Sequence, residues 1–250
     1  VLKNSVIDPN EVERERLVIL EEYRRKQDNP AGFLFEKVYM KSYTRGPYKY
    51  PVLGTPETIQ AITAEDIRQY YLQYYTPETV TLVIVGDVKA EEILPEIKKR
   101  FADFTRKHKP TSTDYTTEYA FNLRERYERP AGDVYMAMSF PAPGIDRVDD
   151  VCAMDVLSVI LGEGRSSRLY RIVKEQKQLV SSIDVSYATQ RLDSLFVISA
   201  TLNPDKLQKA EKAIITEIKR IRRQKPSRRE LKKAKRMITN SYYFATETNA

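Results

Sequence analysis

The 250 residues contain one histidine, His108, and one cysteine, Cys152. A lone cysteine excludes an internal disulfide and a cysteine-built metal site. A lone histidine excludes a metal centre that draws two imidazoles from these residues. Long apolar runs are also missing. The longest, residues 80–85, is far too short to cross a membrane and suits a buried strand. The chain does not open on a basic stretch followed by an apolar one, so these residues hold no secretory leader, and both periplasm and cytoplasm stay open as compartments. Cys152 has Val151, Ala153, Met154 and Val156 as neighbours and is expected to be a buried core thiol.

What is present describes a folded chain with room for two domains: 41% hydrophobic and 31% charged residues. The formal charge is +7, which raises nucleic acid as a partner. The basic residues gather in two runs, 220–225 and 228–236, both on segments with helical patterning. Few glycines or aromatics interleave with them, so a stacking surface for bases is missing, and solvated helix faces are the expectation.

Along the chain, Asp8-Pro9 opens a helix that Asp28-Asn29-Pro30 stops. A second helix is expected over 31–42, with Phe33, Leu34 or Phe35, Val38 and Met40 as its buried side. Thr63-Ala64-Glu65-Asp66 caps another. Residues 80–85 are apolar on both faces and read as the centre of a covered sheet, followed by a helix over 90–101. The segment 105–120 is poor in large aliphatics and reads as a linker. It separates a first domain, 1–104, from a second, 121–250. The second is expected to hold strands at 122–128, 133–140, 181–188 and 193–200. Val134, Met136 and Met138 should share one face. Helices are expected over 149–161, 168–177 and 204–223, with a last one from about 227 that is still running when the chain stops. A strand, a turn and an amphipathic helix thus occur twice, at 81–101 and 195–221.

Two stretches carry chemistry. In the first, Glu13-x-Glu15-x-x-Val18-Ile19-x-x-Glu22, acidic residues crowd the early turns of a helix, where its dipole favours them in any case. In the second, Leu161-Gly162-Glu163-Gly164-Arg165-Ser166-Ser167-Arg168, glycines permit close backbone approach at a helix start. Amide donors there can meet an anion, but the spacing of a phosphate-binding loop is absent. Together with Pro51-Val52-Leu53-Gly54, Tyr75-Thr76-Pro77-Glu78 and Val85-Gly86-Asp87-Val88, these stretches follow an order that resembles the pitrilysin/insulinase (M16, mitochondrial-processing-peptidase-like) zinc metalloproteases over nearly the whole chain. Gln178 departs from the pattern, standing where a glycine is usual.

The resemblance implies an α+β chain of two similar domains, each a mainly antiparallel sheet packed with helices, the first incomplete at its N-terminus. It implies that Glu13 is the zinc-ligating carboxylate and Glu22 an outer helper. The other two ligands and the general base belong to a His-x-x-Glu-His helix that these residues lack. Residues Gly162, Gly164, Ser166, Ser167 and Arg168 would touch substrate. The implied reaction is zinc-dependent endoproteolysis of peptides or unfolded polypeptides inside a chamber closed by a homologous half, a partner subunit or a second copy. Without the missing helix the isolated chain is expected to bind no zinc tightly and to cleave nothing. A non-catalytic, substrate-binding member of the same fold is the rival. His108, among cations, is expected to be an ordinary surface residue.

Overall fold

A computed structural model describes residues 2–107, 115–130 and 132–247. In chain order the elements are α1 (Pro9–Asp28), α2 (Pro30–Ser42), β1 (Tyr43–Arg45), α3 (Pro56–Ala61), α4 (Ala64–Tyr74), α5 (Ala90–Phe101), β2 (Glu118–Tyr119), β3 (Val134–Ala142), α6 (Val148–Gly162), a π-helical stretch (Tyr170–Gln176), β4 (Ser182–Tyr187), β5 (Ser194–Leu202), α7 (Leu207–Arg223) and α8 (Arg228–Ala245). The fold is mixed α/β with antiparallel sheets.

Helix starts follow local chemistry. Asp8 Oδ1 accepts the Asn10 amide at 2.7 Å ahead of Pro9, and Asn29 accepts the Gly32 amide at 3.0 Å ahead of Pro30. Thr63 and Asp66 bond reciprocally at the start of α4, as do Ser227 and Glu230 at the start of α8. Each box satisfies amides that the first helical turn leaves orphaned.

Contacts divide the chain into two compact units that do not follow chain order. One comprises Val1–Arg25, Val52–Asp114 and Glu247–Ala250; the other comprises Lys26–Pro51 and Tyr115–Thr246. The 105–120 stretch contributes β2, whose Tyr119 pairs with Tyr43 of β1.

The second unit is built on the antiparallel sheet β3-β5-β4. Alternation along the central β5 sends Phe196, Ile198, Ala200 and Leu202 into a core with Leu161, Leu169, Val173, Ala210, Ala213 and Ile214. Leu195 and Val197 point the other way, onto Tyr43 and the partly buried Val38, Tyr39, Tyr48 and Tyr119. Both faces of β5 are therefore covered. Val134, Met136 and Met138 of β3 lie on the first of these faces, as their spacing predicts. The hydroxyl of Tyr43 donates to Asp193 O at 3.1 Å and that of Tyr119 to Ser194 O at 2.8 Å. Burial pushes both phenols up, Tyr119 to about 12. The sheet is thus covered by a tyrosine layer in which the Tyr43 and Tyr119 hydroxyls each donate to a backbone carbonyl.

Several expectations need correction. Residues 80–85 form no strand and make no ladder bonds among the described residues, and Leu82, Val83, Ile84 and Val85 are exposed. Both sheets belong to the second unit. Apolar composition supplies a strand's preference, but a ladder needs a neighbour. The expected strand at 122–128 is likewise irregular and exposed, with Asn122 at φ 56°. In α2, Phe35 is exposed and Glu36 is the buried residue, held by Lys26 at 2.8 Å and by Gln27.

Cys152 is exposed, not buried. It shares a helix stripe with Val156 and Val159, four and seven residues on. The residues of α8 that pack on α6 begin to cover that stripe only at Val156. Periodicity gives the face; it does not say where the covering helix ends. A maleimide is expected to label Cys152 in the native protein within minutes. A requirement for denaturant would contradict this placement.

Candidate functional site

The acidic helix α1 sits in the first unit for most of its length. Glu13 is exposed, and both its oxygens accept from Arg16, Oε1 from Nη2 at 2.9 Å and Oε2 from Nε at 3.2 Å. The remaining donors of Arg16 go to three backbone carbonyls where α3 ends: Nη1 to Ile59 at 2.6 Å and Gln60 at 2.7 Å, and Nη2 to Ile62 at 2.7 Å. A guanidinium has five N–H groups, and here every one has an acceptor. Arg16 thereby satisfies carbonyls that the end of a short helix leaves open, and ties α1 to the α3–α4 connection. Nothing in the local sequence signals this, because the acceptors lie more than forty residues away.

Glu22 is exposed on the same helix. Nine residues turn a helix by about 900°, so Glu13 and Glu22 face roughly opposite ways, about 13.5 Å apart along the axis. Two side chains so placed on one helix do not reach the same ion directly. Glu15 and Glu22, seven residues apart, do share a face. Both are exposed and neither makes an ion pair among the described residues. Among the described residues no three His, Cys, Asp or Glu side chains gather closely enough to hold a metal ion. Taken by themselves they do not fit zinc, which takes three protein ligands in a catalytic site. His108 lies outside the described residues.

The glycine-serine stretch belongs to the second unit. Gly162 closes α6 where a Cβ would fall 2.4 Å from Val185 Cβ and 2.9 Å from its backbone nitrogen. Only glycine lets the helix end meet β4 so closely. Gly164 has φ +75° and starts a turn in which Ser167 N donates to Gly164 O at 3.0 Å. Ser166 is exposed; Ser167 is buried, and its Oγ has no hydrogen-bond partner among the described residues.

Arg168 is largely buried and clamped to Glu230, with Nε to Oε1 at 2.7 Å and Nη2 to Oε2 at 3.0 Å. The same Glu230 carboxylate accepts the Ser227 amide at 2.8 Å in the α8 cap. The Arg168 guanidinium, aided by that capping bond, holds the Glu230 carboxyl down at about 2. In return Glu230, and more weakly the buried Glu217, push Arg168 up. The cleft beside this pair, between Val159, Ser166, Ser167, Lys233 and Met237, measures about 30 Å³. That volume holds a water molecule but no peptide side chain. Through Nε and Nη2, Arg168 joins the turn to α8.

Comparison with known proteins agrees with this arrangement. A family model described as the peptidase M16 inactive domain matches residues 61–238. The chain is 24% identical over 245 residues to an uncharacterized zinc protease of Bacillus subtilis, YmxG, covering 98% of this chain and 59% of that protein. It is 29% identical over 227 residues to the zinc protease PqqE of Helicobacter pylori, covering 88% of this chain and 51% of that one. Among solved structures, a Helicobacter pylori protease superposes with a TM-score of 0.89 at 24% identity, over 99% of this chain and 61% of the other. A peptidase M16 inactive domain from Pseudomonas fluorescens gives 0.83 at 17% identity, over 96% and 58%. The chain thus spans about three-fifths or less of the length of these proteins. No helix of the described residues is long and apolar enough to cross a membrane. With the family model matching most of its length, the chain belongs to the peptidase M16 family.

Proposed function

We propose that these residues are part of a zinc-dependent endopeptidase that cleaves peptides or unfolded polypeptides in a chamber completed by a homologous half or a partner subunit. The observation that carries this reading is membership of a peptidase family whose matched relatives are named zinc proteases. Zinc, when bound, would supply an acidified water as nucleophile. This chain would contribute a carboxylate of α1, and two histidines and a general base would come from polypeptide outside these residues.

Glu13 is the ligand that the family motif points to. A second assignment, Glu22 with Glu15 beside it, is favoured by one observation: both oxygens of Glu13 are occupied by Arg16, whereas the Glu15–Glu22 face carries no ion pair. In this reading the second unit, with its edge strands β3 and β4, would line the chamber and take extended peptide by strand addition.

The test compares the whole protein with the 250-residue chain on an unfolded polypeptide substrate. Cleavage by the whole protein should vanish with a chelator and return with zinc. Replacing the ligating glutamate by glutamine should lower it more than about 100-fold, and comparing Glu13→Gln with Glu22→Gln identifies which one that is. The isolated chain should be inactive. Zinc-dependent cleavage by the 250 residues alone would refute the division of ligands. A whole protein that carries no His-x-x-Glu-His and cleaves nothing would establish the rival, a non-catalytic scaffold.

A further inference from the structure

Positive charge in this chain is local. Residues 219–236 hold eleven lysines and arginines against one carboxylate, Glu230, whereas the whole chain is only +7, so everything outside this stretch carries a net −3. All eleven side chains are exposed, at the end of α7, in the connection after it and on α8. Glu230 is already taken by Arg168. Among the described residues only Arg220 of the eleven has a carboxylate in reach, Glu217 at 3.8 Å.

Helix α8 shows the arrangement. At about 100° per residue, Arg228, Arg229, Lys232, Lys233, Lys235 and Arg236 fall within an arc of about 160°. They face away from Leu231, Ala234 and Ile238, which pack on α6. Arg228, Lys232 and Arg236 stand four residues apart, as do Arg229 and Lys233, a spacing at which like charges repel. Helix α1 is built the other way: Arg14, Arg16 and Arg24 each pair with a glutamate three residues before. Beyond the cations, the last turn of α8 exposes Tyr242 and Tyr243, each 65%, and Phe244, 76%. Tyr243 continues the middle of the cationic arc, and the other two lie at its margins.

We propose that the outward face of α8, with the end of α7, docks on an anionic lipid bilayer, the cations meeting headgroups and the terminal aromatics entering the interfacial layer. This inference goes beyond the protease reading and does not rest on it. Two features select a bilayer. Repulsion within the row of cations destabilises the helix, and a negatively charged surface beside it relieves that repulsion. The aromatics are also segregated from the cations. Single-stranded nucleic acid takes aromatic platforms interleaved with positive charge, whereas rings gathered at one end of a basic helix face suit the headgroup layer. Attachment through these residues is peripheral, since no helix among them is long and apolar enough to cross.

The experiment is co-sedimentation of the whole protein with vesicles, one set of pure phosphatidylcholine and one containing about one-third phosphatidylglycerol as the anionic lipid. The protein should bind the anionic set alone and come off in about 1 M salt, where screening shortens to about 3 Å. Each cation near such a surface changes binding about fivefold, so Lys232→Gln, Lys235→Gln and Arg236→Gln together should weaken it about 100-fold. Phe244→Ala should weaken it about tenfold. Lys232→Arg with Lys233→Arg and Lys235→Arg should bind as the unmodified protein does, because the charge is kept. All these positions are exposed, so an unchanged circular dichroism spectrum is expected throughout. No binding to either set, equal binding to both, or indifference to the glutamine substitutions overturns the proposal. Binding to duplex or single-stranded nucleic acid with none to anionic vesicles gives the face to another polyanion and overturns it as well. No readout needs zinc or cleavage, so failure of the peptidase assay leaves this result standing.

Discussion

Replacing Ile198 by alanine is expected to destabilise the second unit by about 4 kcal/mol, near the upper end for a buried large-to-small change. Ile198 is 0% exposed at the middle of β5. It lies opposite Met138 on one neighbour and Val185 on the other. Its side chain sits in the core that α6, the π-helical stretch and α7 close. Close-packed surroundings on every side leave the site little freedom to collapse, so most of the transfer and cavity terms should be felt. The control is Val83→Ala, which in the isolated 250 residues should change stability by less than about 0.5 kcal/mol, as exposed positions do. Denaturant unfolding of the variants measures both. A loss under about 1 kcal/mol at Ile198 would show that β5 is not the centre of a packed core.

The second large effect is expected at the Arg168–Glu230 pair. The carboxyl of Glu230 lies near 2 because Arg168 and the α8 cap bond its charged form. A carboxyl held below its unfolded value stabilises the fold above the unfolded pKa, near 4.5, and the stabilisation fades as pH falls toward 2. Taken at face value this displacement corresponds to about 3 kcal/mol. The Glu230 side chain is one-third exposed, so solvent screening reduces it to about 2 kcal/mol. Glu230→Gln should therefore cost about 2 kcal/mol at pH 7 and little at pH 2.5, measured by denaturant unfolding across that range. Arg168→Met should show the same pH dependence, since it removes the partner that holds the carboxyl down. A cost for Glu230→Gln that is constant with pH would mean the bonds matter and the charge does not. In either case the effect measured is on the joint between the turn and α8.

Short-range chemistry was legible without coordinates. Asp8-Pro9 and Thr63 with Asp66 mark helix starts, and Ser227 lies at another, because a cap needs only residues within one turn of it. The alternation in β3 and the presence of strands β4 and β5 were equally plain, and the order of motifs along the chain carried the family.

What lay beyond such reading depends on neighbours remote in sequence. Residues 80–85 and β5 carry similar apolar patterns, each followed by an amphipathic helix. One is open to solvent, and the other is the most buried strand among the described residues. The difference lies in the presence of β3 and β4 beside β5, since a strand's amides and faces are satisfied by other strands and not by its own residues. Cys152 is exposed for a related reason, because the reach of α8 along α6 is set by the packing of both helices. The Arg16 clamp joins residues 43 to 46 positions apart, and the Arg168–Glu230 pair joins residues 62 apart. Secondary structure, caps and kinship are properties of contiguous residues. Burial, and the partner each charge takes, are properties of which surfaces the folded chain brings into contact.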